Sequence, residues 1–312
     1  MIYLKKFNEL GKNDTDIAGG KGASLGEMTQ ADVPVPPGFV IIADAFRKLI
    51  QDNSIVEKID NILNGVDINN TETVDQASEE IRELIKNSQT SQDVSNEITK
   101  AFNDLDAEFV AVRSSATAED SSSASWAGEL ETYLNVTKDN LLEAVKKCWS
   151  SLFTSRAIFY RIENKMQEDE VAVAVVVQKM VNSAIAGICF TVHPVTKDAN
   201  SIVIEAGWGL GETVVGGQVT PDTYIIEKNS FDIKEIYPSE QEIMLIRSGN
   251  GSKEVEVPAN LKEKQKLSKD QIVELSKICK GIEDHYGFSC DIEWAFEDNK
   301  FYIVQSRPIT TL

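Results

Sequence analysis

The tightest constraint on this chain comes near its end. Cys290-Asp-Ile-Glu-Trp-Ala-Phe-Glu297 and Lys300-Phe-Tyr-Ile-Val-Gln-Ser-Arg307 alternate with period two around the turn residues Glu297-Asp-Asn-Lys300, which predicts an antiparallel hairpin. Side chains two apart on a strand share a face, so Asp291 and Glu293 point one way, and Gln305 and Arg307 share a face on the second strand. If those faces coincide, two carboxylates, an amide oxygen and a guanidinium occupy one small patch of sheet. Hard oxygen donors beside a fixed cation suit a Mg²⁺–polyphosphate. Taken alone, the segment is equally compatible with a solvated polar hairpin face.

At 312 residues the chain is long enough for two lobes or one large domain. A formal charge of −19 repels nucleic acid and anionic membranes, which argues against both as general partners. A nucleotide site stays open to it, because a few local Lys and Arg outweigh a distant field. Cys148, Cys189, Cys279 and Cys290 show no CxxC spacing, so free thiols in a reducing cytoplasm are expected and a zinc site is not. The start, Met1-Ile-Tyr-Leu-Lys-Lys, lacks the apolar core of a signal peptide. No run approaches the roughly 20 apolar residues that span a bilayer. A cytoplasmic location is the expectation.

Strand and helix patterns mix without strict βαβ alternation, which predicts an α+β fold in two lobes, residues 1–180 and 181–312. Ile17-Ala-Gly-Gly-Lys-Gly-Ala-Ser-Leu-Gly-Glu27 opens a short helix from a glycine-rich turn, and Val33-Pro-Val-Pro-Pro-Gly38 feeds an apolar strand. Asp44 to about Leu105 reads as helical. Leu141, Leu142, Val145, Cys148, Trp149, Leu152 and Phe153 form a helical core stripe after a cap at Thr137 or Asp139. A further helix is expected near Ser268–Tyr286.

Between two glycines, Lys21 can bring an ammonium to an anion that backbone amides approach closely. The spacing is not that of a Walker A loop, and a plain turn is the competing reading. Arg113 ends the short strand Phe109–Arg113 and enters a long loop, Ser114–Gly128, rich in Ser, Ala and Gly. Such a loop commonly moves or binds something; its amides and hydroxyls would suit phosphate oxygens, with Arg113 at its base. Gly207-Trp-Gly-Leu-Gly-Glu-Thr213 does not keep GxGxxG spacing, which excludes a Rossmann reading. His193 and His285 have no triad context and are expected to be structural, and no serine sits in a GxSxG elbow.

In order along the chain, Gly19-Gly-Lys-Gly-Ala-Ser-Leu-Gly26, Pro36-Pro-Gly-Phe39, Val112-Arg-Ser-Ser-Ala-Thr-Ala-Glu-Asp120, Trp126-Ala-Gly-Glu-Leu-Glu-Thr132, Pro221-Asp-Thr-Tyr224, Asp291-Ile-Glu-Trp294 and Gln305-Ser-Arg-Pro308 together form a specific signal. The set resembles the N-terminal nucleotide-binding domain shared by phosphoenolpyruvate synthase and pyruvate phosphate dikinase, and used also by rifampicin phosphotransferase and phenylphosphate synthase subunits. The resemblance implies an ATP-grasp fold in which two α+β lobes clamp ATP. It implies that Lys21 and Arg113 hold the phosphates and that Gly128 and Thr132 belong to the phosphate-covering loop and its flank. Gln178 would read adenine, Glu293 and Gln305 would bind Mg²⁺, and Arg307 would contact the transferring phosphoryl, with Asp291 a further contact on that face.

It further implies transfer of phosphoryl or pyrophosphoryl groups to a histidine on another domain or subunit, leaving AMP. Neither His193 nor His285 has the glycine-rich Ser-His context of that acceptor, and the chain stops at Leu312. Alone, it is therefore expected to bind Mg·ATP without turning over substrate. The alternatives are a phenylphosphate-synthase-like or rifampicin-phosphotransferase-like subunit and, from another class, an ATP-sensing regulatory module.

Overall fold

The computed structural model describes residues 2–117, 120–121, 124–125, 131–164, 172–249 and 251–310. The chain divides into two compact units: Met1–Glu27 with Pro37–Met180, and Met28–Pro36 with Val181–Leu312. The first contains β1 (Leu4–Lys6), most of α1 (Thr15–Gln30), β2 (Gly38–Ile41), α2 (Ala43–Asp52), α3 (Val56–Asn64), α4 (Thr71–Asn87), α5 (Gln92–Asp104) and β3 (Val110–Ala116). The short strands β4 (Asp120–Ser121) and β5 (Ala124–Ser125) follow, then β6 (Thr132–Val136), α6 (Leu141–Ser150), α7 (Ser155–Glu163) and β7 (Val173–Lys179).

Its main sheet runs β1-β2-β7-β3-β6, and β7 is antiparallel to both neighbours. Val173-Ala-Val-Val-Val-Gln-Lys179 is apolar almost throughout because this central strand is buried on both faces. One face, carrying Phe39, Ile41, Val110, Val112, Val175 and Val177, joins the large core with Ile81, Ile98 and Trp149 from the helices. The expected stripe forms that core from two elements. A capped 3₁₀ turn at Lys138–Asn140 precedes α6, and a second 3₁₀ turn, Ser151–Phe153, carries Leu152 and Phe153. The opposite face bears Ala111, Arg113 and Ser115 on β3, with Val176 and Gln178 on β7, Val40 on β2 and Thr132 on β6.

The second unit contains β8 (Ile185–Phe190), β9 (Ser201–Trp208), α8 (Glu212–Val215), β10 (Asp222–Glu227), β11 (Ile233–Tyr237), β12 (Ile243–Ser248), β13 (Gly251–Glu256), α9 (Lys269–Tyr286), β14 (Cys290–Glu297) and β15 (Lys300–Pro308). Its sheet order is β11-β10-β9-β8-β14-β15, antiparallel at every pairing. Ile204, Tyr224, Cys290 and Ile292 are fully buried, as are Ile272, Leu275, Cys279 and Ile282 of α9, which packs on β9 and β14. Ser268 caps α9 in a capping box with Gln271, and left-handed Gly287 ends it. The antiparallel β9–β10 pair agrees with the exclusion of a dinucleotide-binding βαβ unit. Gly209 turns at φ 87°, where a Cβ would stand 2.4 Å from the Leu245 carbonyl. Among the described residues no helix is long and apolar enough to cross a membrane. The α+β class read from the sequence is the class observed.

Asp222 of the Pro-Asp-Thr-Tyr motif ties this unit together. Its carboxylate accepts from Lys266 Nζ at 2.7 Å, the Lys266 amide at 2.8 Å, the Ser239 amide at 2.8 Å and the Tyr224 hydroxyl at 2.7 Å. Both side chains of the ion pair are fully buried. Asp222→Ala strands the Lys266 ammonium in the interior and should cost about 3–5 kcal/mol, read as a lowered denaturant midpoint.

Candidate functional site

In the first unit, the Gly-Lys turn is a break inside α1. Gly19 takes φ 68° and ψ 171°, and the helix restarts with Gly20-Lys21-Gly22 in its first turn. A Cβ on Gly19 would lie 2.2 Å from Ser115 Oγ, so the turn rests directly on β3. Beside it, Arg113 is buried and stands opposite Thr132 on β6 and Val176 on β7. Burial pushes the Cys148 thiol up to about 12, a rise that the Ser114 hydroxyl and the Lys21 charge oppose.

Gln178 lies two residues from Val176, so it shares the face of Arg113 and Ser115. It is buried, and among the described residues its Nε2 finds no hydrogen-bond partner. The adjoining amides are already committed, Lys179 N to Pro37 O at 2.8 Å and Met180 N to Phe109 O at 3.0 Å. A buried, unmatched amide costs about 1–3 kcal/mol.

The expected loop starts later than its sequence suggests. β3 stays paired with β7 through Ala116–Val173, so Ser114 and Ser115 are buried strand residues. Ser114 Oγ lies 2.8 Å from Ser151 Oγ and donates to Glu131 O at 3.0 Å, which removes it from any ligand. Gly128 lies outside the described residues. Glu131, just before Thr132, is held by Arg82 Nη2 at 2.5 Å and by the Tyr133 hydroxyl. Burial and that carboxylate both push the Tyr133 phenol up.

In the second unit the hairpin faces coincide. Asp291 pairs with Arg307 and Glu293 with Gln305. Asp298 and Asn299 form the two-residue turn, with φ of 49° and 60°. A bulge after Glu293 shifts the register beyond the polar cluster. Arg307 donates from Nε at 2.9 Å and Nη2 at 2.7 Å to Asp291 Oδ2. Burial raises the Asp291 carboxyl, Arg307 opposes that shift and Glu293 adds to it.

Among the described residues, no group of three or more His, Cys, Asp and Glu is close enough to hold a metal ion. Glu293 and Gln305 are two hard oxygen donors on facing strands. Such a pair fits Mg²⁺, which commonly takes one or two protein ligands and fills its shell with water and phosphate oxygens.

A model of the pyruvate phosphate dikinase AMP/ATP-binding domain matches residues 15–312. The chain belongs to this family. It is 49% identical to a probable phosphoenolpyruvate synthase of Methanocaldococcus jannaschii, covering 100% of this chain and 27% of that protein. It is 43% identical to the phosphoenolpyruvate synthase of Pyrococcus furiosus over 99% of this chain and 44% of the relative. It is 36% identical to a rifampicin phosphotransferase of Bacillus cereus, again over 99% of this chain and 36% of the relative. The chain thus spans less than half the length of these relatives. The α+β units, each with an antiparallel sheet, are those of an ATP-grasp member of this dikinase family.

One further carboxylate, not singled out by its sequence context, lies level with the Glu293–Gln305 pair. Glu205 on β9 stands level with Ile188 on β8, and Ile188 with Glu293 on β14, so Glu205, Glu293 and Gln305 occupy one row across the sheet. The available signal was a carboxylate ending the apolar run Ser201-Ile-Val-Ile-Glu205. Burial raises its pKa, and the charge of Asp291 adds to the rise. With the folded-state pKa raised, the cost to folding grows as the pH rises above the usual value of 4.5 and is complete above the folded pKa, whereas well below 4.5 the group is neutral in both states. Glu205→Gln should therefore raise Tm at neutral pH, with the gain fading as the pH falls toward 4.5, measured by thermal melts across that range.

Proposed function

We propose that this chain is the ATP-binding module of a phosphoenolpyruvate-synthase-like phosphotransferase, passing a phosphoryl or pyrophosphoryl group from Mg·ATP to a histidine on another domain or subunit. The observation that carries the proposal is the register of β14 and β15, which sets Glu293 against Gln305 and Arg307 against Asp291. Each unit has its own task. In the first, Gln178 Nε2 donates to an adenine nitrogen, and Lys21, Arg113 and Thr132 bind phosphate oxygens together with Gly128. In the second, Glu293 and Gln305 hold Mg²⁺, Asp291 orients Arg307, and the guanidinium meets the transferring phosphoryl.

Mg²⁺ would supply neutralisation of the polyphosphate charge. Such transfer rests on positioning and charge stabilisation, which this set of residues provides. In the pyrophosphoryl case, the acceptor imidazole nitrogen bonds to the β-phosphorus as its bond to the AMP oxygen breaks, and the imidazole proton passes to solvent. Both histidines of this chain fit the proposal that the acceptor is elsewhere. His193 Nδ1 accepts from the Val195 and Thr196 amides at 3.2 and 3.3 Å and so serves its own turn, and His285 packs edge-on against Tyr286. The four buried free cysteines suit a reducing cytoplasm. The rifampicin phosphotransferase relative supports a second reading, in which the final acceptor is an antibiotic rather than pyruvate.

With a histidine-bearing acceptor domain added, the chain should convert ATP to AMP, followed by ³¹P NMR. Arg307→Ala should slow that step about 100- to 1000-fold while its melting curve stays close to wild type. AMP release by Arg307→Ala at the wild-type rate, or product formation by the purified chain alone, would refute the assignment.

A further inference from the structure

The break in α1 has a specific physical cause. In a continuous helix the Gly22 amide would donate to the Ala18 carbonyl, four residues earlier. Here the Ser115 hydroxyl stands between them, accepting from Gly22 N at 3.2 Å and donating to Ala18 O at 2.9 Å. A side chain inserted into the hydrogen-bond ladder is one of the few things that bend a helix sharply. Gly19, the residue at the bend, packs so closely that a Cβ would lie 2.3 Å from the Ser115 carbonyl oxygen. Gly22 in turn packs over Val40 of β2, which shares the face of Ser115.

Ser115 is fully buried, and both of its hydrogen-bonding roles are committed to the two ends of this break. It stands two residues beyond Arg113 on the same strand face. The hydroxyl thus ties both ends of the Lys21 turn to the strand that carries Arg113.

We infer that Ser115 is a positioning residue for phosphate binding, aligning Lys21 with Arg113 by inserting its hydroxyl into the α1 ladder. The inference rests on the reading that Lys21 and Arg113 hold ATP phosphates. Removing the hydroxyl leaves a buried amide and carbonyl that can rejoin as an ordinary helical bond. The bend then relaxes and the ammonium moves, while the sheet and Gln178 stay in place. The loss is thus confined to ligands that carry phosphates.

The test is calorimetry on the 312-residue chain with Mg·ATP and, separately, adenosine. Ser115→Ala should weaken Mg·ATP about tenfold, equivalent to ~1.4 kcal/mol, and change adenosine affinity less than about twofold. Combined with Lys21→Ala, the two losses should be less than additive, because both act through one ammonium.

Ser151→Ala is the control for a merely structural hydroxyl. That hydroxyl is also fully buried, and it bonds Cys148 O and Ser114 behind the opposite face of β3. It should lower Tm and leave the ratio of ATP to adenosine affinity unchanged. Should Ser115→Ala lack a cooperative melt, Ser115→Cys, which keeps a side chain of similar size and forms only weak hydrogen bonds, is read in its place. If Lys21→Ala weakens Mg·ATP and the Ser115 variant does not, or if Ser151→Ala shifts the ratio equally, the inference is overturned. If Lys21→Ala itself binds Mg·ATP like wild type, the phosphate reading beneath it fails instead.

Discussion

The polar face of the second unit depends on one register, the pairing of β14 with β15. Side chains alternate with period two, so a slip of one residue would turn Glu293 inward and put Trp294 in its place. The two-residue Asp298-Asn299 turn sets that register, and Trp294 and Phe301, packed edge to face, hold it from the other side of the strands. The bulge follows Glu293, so the pairs that matter remain in step. Arg307 is 45% exposed at its side chain while Asp291 is 13% exposed, so a mostly buried carboxylate steadies a cation that solvent can reach.

The first unit achieves a similar division with a different device. Alternate residues of β3 face opposite ways: Val110 and Val112 enter the large core, and Arg113 and Ser115 stand on the other side. That second face gives up stability. Gln178 keeps an unmatched buried amide nitrogen, and in the second unit Glu205 carries a carboxylate in surroundings that resist its ionisation. Within each unit, a polar group held against the fold in this way is more often kept for a ligand than for stability.

Much of this was legible in the sequence because it follows from local periodicity. The closing hairpin, the α6 stripe and α9 all carry one period over enough residues to be read directly. The Asp291, Glu293, Gln305 and Arg307 group could be anticipated for the same reason, although whether the two faces coincide is a matter of register that alternation alone leaves open. Other features depend on partners far away in sequence. Ser114 and Ser115 looked like the start of a loop because small polar residues follow Arg113; pairing with β7 keeps them in the sheet. Strands β11 to β13 were missed because their half-exposed residues, such as Ile233-Lys-Glu-Ile-Tyr237, lack a clean apolar face. Asp222 could be seen as part of a motif, but its role depends on Lys266, 44 residues onward. Glu205 acquires meaning only when β8 brings it into the row of Glu293 and Gln305.

Titration calorimetry of the purified chain with ATP, with and without Mg²⁺, decides whether Glu293 serves metal-dependent nucleotide binding as proposed. The expected result is saturable one-to-one binding that strengthens markedly when Mg²⁺ is present, with that Mg²⁺ dependence lost in Glu293→Ala. An absence of ATP binding with Mg²⁺ present, or binding indifferent to both Mg²⁺ and Glu293, would contradict it.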